Sequence, residues 1–165
     1  MLLPTAILQH TLPDHSAAEP IHYDWLLTYP PNPAIPAYPP SELEPDLTSS
    51  PENRLLAFQT TIPPQQWPDL SAPLPLQRIF DHRQRYLTYE GPISNDRGHV
   101  IQAAIGHHKP SLWLPQKIVT DLQIHTSCQP GQTLNLQATL IAIEVPSSEE
   151  TLPCQYTATF SQIQR

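Results

Sequence analysis

Proline constrains this chain more than any other residue: 22 prolines stand among its 165 residues, against 4 glycines. Each proline removes a backbone donor and clashes with the preceding helical turn, which argues against long helices. Short strands joined by stiff connections fit better. The densest crowding, Pro30, Pro31, Pro33, Pro36, Pro39, Pro40, Pro45 and Pro51, is interleaved with Ser, Glu and Asn. It predicts a long surface loop over about residues 30–52. Too little chain precedes that loop to fold alone, so it reads as an insertion within a single domain covering 1–165.

The stretches between the prolines carry strand character. "TAILQH" (5–10), "IHYDWLLTY" (21–29) and "RLLAFQTTI" (54–62) are short apolar runs. "LQRIFDHRQRYLTYEG" (76–91) reads as two short extended pieces, and "GHVIQAAIGHH" (98–108) as another strand. "KIVTDLQIHT" (117–126), "TLNLQATLIAIEV" (133–145) and "CQYTATFSQI" (154–163) alternate apolar and polar residues with the two-residue period of a half-buried strand. "PPQQWPDL" has room for one helical turn. About eight short strands with no helical periodicity predict an all-β fold, a compact antiparallel β-barrel.

The net charge of −7 counts against a nucleic-acid partner, but it is unevenly spread. The only net-basic segment is 78–117, where Arg78, Arg83, Arg85, Arg97, Lys109 and Lys117 face Asp81, Glu90 and Asp96. A local anion site is one reading and a solvated face the other. No apolar run approaches the roughly 18 residues of a membrane span, and "MLLPTAIL" is too short for a secretory signal. Cys128 and Cys154 lack C-x-x-C spacing and read as ordinary thiols of a reducing compartment, so a cytoplasmic protein is expected.

In "IHYDWLL" (21–27), residues two apart share a face of a strand. Tyr23 and Trp25 then fill a core while His22 and Asp24 converge on the other side. Neutral imidazole and carboxylate suit a divalent transition metal; a surface histidine beside a hydrogen-bonded aspartate has the same spacing. In "DHRQRYLTYEG" (81–91), an extended chain places His82, Gln84, Tyr86, Thr88 and Glu90 on one face, with Arg83 and Arg85 on the other. His, Tyr and Arg together suit an anionic substrate, and a polar edge strand is the structural alternative. The His107–His108 pair is expected at the surface at a strand end, and Trp67 and Trp113 are expected to pack.

The run "AILQH…IHYDWLL…LLAFQT…DHRQRYLTYEGPIS…RGHV" resembles the 3′-phosphoesterase domain of bacterial DNA ligase D, and more closely its stand-alone relatives, the DNA polymerase ligase-like proteins. The resemblance covers about residues 6–106 and implies a barrel with a manganese-dependent site in its mouth. It implies His10, His22 and Asp24 as metal ligands for Mn²⁺ or another divalent transition metal. His82 and Tyr86 would contact the scissile phosphate. The implied substrates are 3′-ends of nucleic acid, in DNA or DNA/RNA primer–templates, from which a 3′-phosphate or 3′-ribonucleotide is removed. DNA-repair proteins are further candidate partners, and no membrane is implied.

The chain departs from that pattern at Leu26, where the ligase domain has an arginine, and at Phe80, where an acidic residue is usual. "TLPDHSAAEP" lengthens the interval between His10 and His22, which makes His15 an alternative ligand to His10. Arg78, Arg85 or Arg97 would then supply the lost phosphate contact. Two rival readings stand beside this one. A non-haem iron oxygenase would use His22, Asp24 and His82. A catalytically decayed barrel would serve as a nucleic-acid- or protein-binding module.

Overall fold

The computed structural model describes residues 1–16, 19–31, 54–128, 130–143 and 155–164. Most of the predicted proline-rich loop, and Cys154, lie outside them. Nine strands form one antiparallel sheet: β1 (Leu3–Thr11), β2 (Ile21–Thr28), β3 (Arg54–Thr60), β4 (Leu74–Arg83), β5 (Gly91–Pro92), β6 (His99–Leu114), β7 (Lys117–Thr126), β8 (Thr133–Ala142) and β9 (Gln155–Gln162). The order runs β1-β2-β3-β4-β9-β8-β7-β6, and pairing of β1 with β6 closes the ring. β5 adds a short pairing at the start of β6. Closure gives the edge groups of the terminal strands partners, which an open sheet of this size would leave bare. No helix of the described residues is long and apolar enough to cross a membrane.

The alternation of the sequence sorts side chains to the two sides of this wall. Ile7, Trp25, Leu27, Leu56 and Phe58 from β1–β3 point inward and meet Ile118, Leu122, Leu136, Leu140 and Tyr156 from across the ring. Trp25 is fully buried, its ring 5.0 Å from that of Trp67 and 6.4 Å from that of Phe58. Burying each large apolar side chain of this kind contributes about 1.5–3 kcal/mol. Trp67 rides on a 3₁₀ helix at Pro64–Asp69, donates its indole N–H to the Ile62 carbonyl and stacks on Phe160. Trp113 is also buried, so both tryptophans pack as expected.

A second, smaller core lies on the outside of the same wall. Leu8, Leu26, Leu55, Ala57 and Val100 are covered there by Tyr86, with Leu87, Tyr89 and Ile93 packed alongside. The first three strands are thus covered on both faces, which is why they read as near-continuous apolar runs rather than clean alternation. Leu26 is wholly buried beneath this cover, so an arginine at that position would have no access to water.

Two of the bulges shift the alternation near β1 and β3. Ile7 pairs with Ala104 but Leu8 with Gln102, so Ala103 is extra; Val100 consequently faces outward and Ala104 inward. Between β3 and β4, Leu55 pairs with His82 and Ala57 with Ile79, so Leu56 opposes both Phe80 and Asp81. An extra residue of this kind re-aims the side chains that follow it.

Two expectations are corrected. The segment 76–91 is not two extended pieces: β4 ends at Arg83 and a 3₁₀ turn, Gln84–Leu87, follows. The histidine pair is not at a strand end. It sits within β6, where His107 is exposed but His108 is fully buried. Nε2–H of His108 donates to the Thr28 carbonyl at 2.9 Å, and Nδ1 accepts from Thr120 Oγ1 at 3.1 Å. Burial holds its pKa down to about 4, so it is a neutral structural hydrogen-bonding group.

Candidate functional site

The site is assembled by register. His10 of β1 lies opposite His22 of β2, and Leu8 opposite Asp24. The pairing runs as far as Thr11 and Ile21, and just beyond it the Leu12 N–H donates to the Pro20 carbonyl. Because Tyr23 and Trp25 turn toward the main core, His22 and Asp24 turn outward, as their spacing predicts. The site therefore sits on the outer face of the barrel wall, beside the second core, and not in the barrel mouth.

His10, His22 and Asp24 form a group whose ligand atoms all lie within 4.8 Å of one another. His22 Nε2 is 3.2 Å from Asp24 Oδ1, and His10 Nδ1 is 3.5 Å from Asp24 Oδ2. The two imidazole rings meet edge to face at 4.5 Å. Asp24 is buried at 3 % exposure. Among the described residues, its Oδ1 has no well-aligned hydrogen bond. A buried carboxylate oxygen left in that state is costly unless something positive meets it. His15, by contrast, is exposed and lies 3.4 Å from Asp96, so it is not part of the group.

The second nitrogens of two histidines are held by backbone. His10 Nε2 lies 2.7 Å from the Arg97 carbonyl, and His82 Nδ1 lies 2.8 Å from the Phe80 carbonyl. A carbonyl only accepts, so each of these nitrogens carries the proton. When either ring is neutral, the opposite nitrogen therefore presents its lone pair to the site. Backbone support of this kind fixes tautomer and ring orientation in metal-binding histidines. The Arg97 carbonyl is brought into place by Gly98, at φ +89, where a side chain would run into the Thr11 carbonyl.

The electrostatics follow from burial and these partners. Burial by itself raises the Asp24 pKa, but the close imidazoles of His10, His22 and His82 outweigh it and hold the carboxyl well below the usual carboxylate range. Burial pulls His10 down, yet Asp24 and the Arg97 carbonyl more than offset this, and its pKa is raised.

A cavity of about 370 Å³ opens over this group, near the lower end of the range for small-ligand sites. His82 and Tyr86 line it together with the three metal-grade residues. The β4 bulge is what turns His82 to this side; its Nε2 is 3.8 Å from Asp24 Oδ2. Tyr86, carried by the 3₁₀ turn, packs its ring 5.6 Å from that of His82. The Tyr86 hydroxyl accepts from Arg85 at 3.2 Å, which leaves its own proton to donate.

The three predicted arginines have separate fates. Arg97 lines the cavity. Arg85 does not; it is exposed, with its guanidinium over the rings of Tyr86 and Tyr89. Arg78 borders the cavity but its side chain is only 1 % exposed. Its guanidinium donates to the Tyr29 hydroxyl at 3.2 Å and lies 3.5 Å from Asp81, inside the barrel. Ahead of the bulge, its parity turns Arg78 inward with Leu74 and Leu76, so it reaches the cavity from the barrel side of the wall.

Sequence reasoning missed Gln59 and Gln77 as lining residues. They extend the Leu8–Asp24 row across β3 and β4, since Asp24 pairs with Gln59 and Gln59 with Gln77. The available signal was a lone polar residue at the end of the apolar run "LLAFQ". The chain matches no protein-family model and no curated protein.

Proposed function

We propose that this chain is a metal-dependent phosphoesterase-like protein acting on 3′-ends of nucleic acid, where it removes a 3′-phosphate or a 3′-terminal ribonucleotide. The observation that carries the reading is the convergence of His10, His22 and Asp24 with His82 and Tyr86 on one cavity. Two imidazoles and a carboxylate are donors for Mn²⁺ or another divalent transition metal, and the unsatisfied Asp24 Oδ1 fits a cation there. Such an ion, held by His10, His22 and Asp24, would neutralise phosphate charge and lower the pKa of bound water.

The chain's own groups have complementary roles in this reading. His82, oriented by the Phe80 carbonyl, takes or returns a proton at Nε2. Tyr86 donates its hydroxyl proton to a phosphate oxygen, while Arg85 holds the other side of that hydroxyl. Arg97 adds positive charge at the cavity wall. The biological setting this suggests is DNA end healing in the cytoplasm.

The test is incubation with Mn²⁺ and a 5′-labelled primer–template ending in a 3′-phosphate or a single ribonucleotide, beside a His22→Ala variant. Product that requires both Mn²⁺ and His22 is expected. Metal binding without product would move the reading to another phosphate ester or to a non-haem iron oxygenase. Neither metal binding nor product would leave a binding module as the better account.

A further inference from the structure

The cavity is also lined by residues that the phosphate chemistry does not use. Phe80, the residue displaced by the β4 bulge, lines it with its side chain 42 % exposed. An aromatic ring this exposed beside a cavity is an informative exception to burial. This one sits at the rim of the site, and its own carbonyl orients His82. Beside it, Gln59 and Gln77 continue the cross-strand row that begins with Asp24. Each amide offers both donors and an acceptor and carries no charge. Ile79 and Ile93 add apolar lining.

The cations are equally telling. Gripping a nucleic-acid strand takes several Lys or Arg side chains along its phosphates. Among the described residues, Arg97 is the lining arginine that is not committed to the barrel interior, and no lysine lines the cavity. One phosphate can be met at the His/Asp group; beyond it the walls offer an aromatic face and two neutral amides.

We infer that Phe80, Gln59 and Gln77 form a nucleoside subsite, so that the protein reads one terminal nucleotide as a unit instead of gripping the strand behind it. This rests on the phosphoesterase reading and names the substrate class of that same site. The base stacks on Phe80, and the amides hydrogen-bond to the sugar hydroxyl or base edge. Stacking of this type is sequence-tolerant, because every base has a π-face.

The test is calorimetric binding of adenosine 3′-monophosphate to the Mn²⁺-loaded chain, with inorganic phosphate as the reference ligand. The nucleotide should bind at least about tenfold more tightly than phosphate. Phe80→Ala should weaken nucleotide binding by about fivefold to a hundredfold, and Phe80→Tyr should retain it. A Gln59→Ala/Gln77→Ala double variant should lose roughly a further tenfold. None of these should change the affinity for phosphate. Raising the salt should weaken an oligonucleotide ending in 3′-phosphate with a log–log slope near about −1, the value for a single phosphate contact. Equal binding of nucleotide and phosphate, or an equal loss of both in Phe80→Ala, would overturn the subsite and leave the phosphoesterase reading standing. Selective nucleotide binding without turnover would do the reverse. No binding of either ligand would overturn both.

Discussion

Asp24 and Asp81 are both buried, on opposite sides of one barrel wall, and their partners differ in kind. Asp81 lies inside, 1 % exposed, where the Tyr29 hydroxyl donates to it at 2.8 Å and Arg78 stands 3.5 Å away. Burial and the Asp81 charge push the Tyr29 phenol far above its ordinary range, so it stays a proton donor. Arginine does not lose its charge in a protein, so the positive partner of Asp81 does not titrate. Asp24 lies outside, ringed by His10, His22 and His82, whose ordinary pKa falls near neutrality. Both border the same cavity, but the first cluster is compensated by an arginine. The other is compensated by groups that can release protons and bind a metal. A buried charge with titratable, ligand-grade partners points to a site; one with an arginine points to architecture.

The comparison can be broken most forcefully by truncating each carboxylate. Asp81→Ala should cost about 3–5 kcal/mol of stability in urea unfolding, because it strands Arg78 inside the barrel. It should leave the metal stoichiometry of the folded fraction unchanged. Asp24→Ala should cost less stability than that, yet weaken Mn²⁺ binding by more than the roughly 10–100-fold typical of losing an outer-shell partner. Similar losses of stability and metal in both variants would erase the distinction.

A milder test uses pH. His10 titrates above its ordinary 6.5, and a metal must displace that proton. Affinity for Mn²⁺ should therefore begin to fall above pH 6.5 on acidification, by up to about tenfold per unit. Calorimetry over about pH 8 to 6 reads this directly, and a flat profile would remove His10 from the ligand set. Without metal the sign at His10 is opposite: its raised pKa contributes stability that is complete below 6.5 and lost as pH rises through the raised value. Asp24, depressed below 3.8, contributes stability present above 3.8 and lost as pH falls through its lowered pKa. The smallest effect belongs to His15→Ala, which should leave metal affinity within about twofold, since this exposed side chain pairs with Asp96 away from the group.

Much of the wall was legible from local pattern. The two-residue alternation of "KIVTDLQIHT" and "TLNLQATL" marks β7 and β8 closely, and the spacing of His22 and Asp24 placed both on one face of β2. Proline abundance disfavoured long helices, and among the described residues the helices are the short 3₁₀ segments Pro64–Asp69 and Gln84–Leu87. These features depend on neighbours in the chain and on a backbone whose period is fixed. Residues placed by partners far along the chain escaped that reasoning. His108 looked like surface because its acceptor, the Thr28 carbonyl, is 80 residues away. Arg78 looked available to substrate until its parity ahead of the bulge turned it toward Tyr29.

The sequence by itself determined that this chain is an antiparallel β protein with metal-grade side chains on one strand face, because alternation and proline act within a few residues. Only the tertiary structure decided which side of the wall that face occupies. It also decided that His10 and not His15 completes the group, and that Gln59, Gln77 and Phe80 join the cavity. Each of those outcomes is set by cross-strand register and by one extra residue opposite Leu56. Register is a property of paired strands, and a single inserted residue inverts every side chain beyond it.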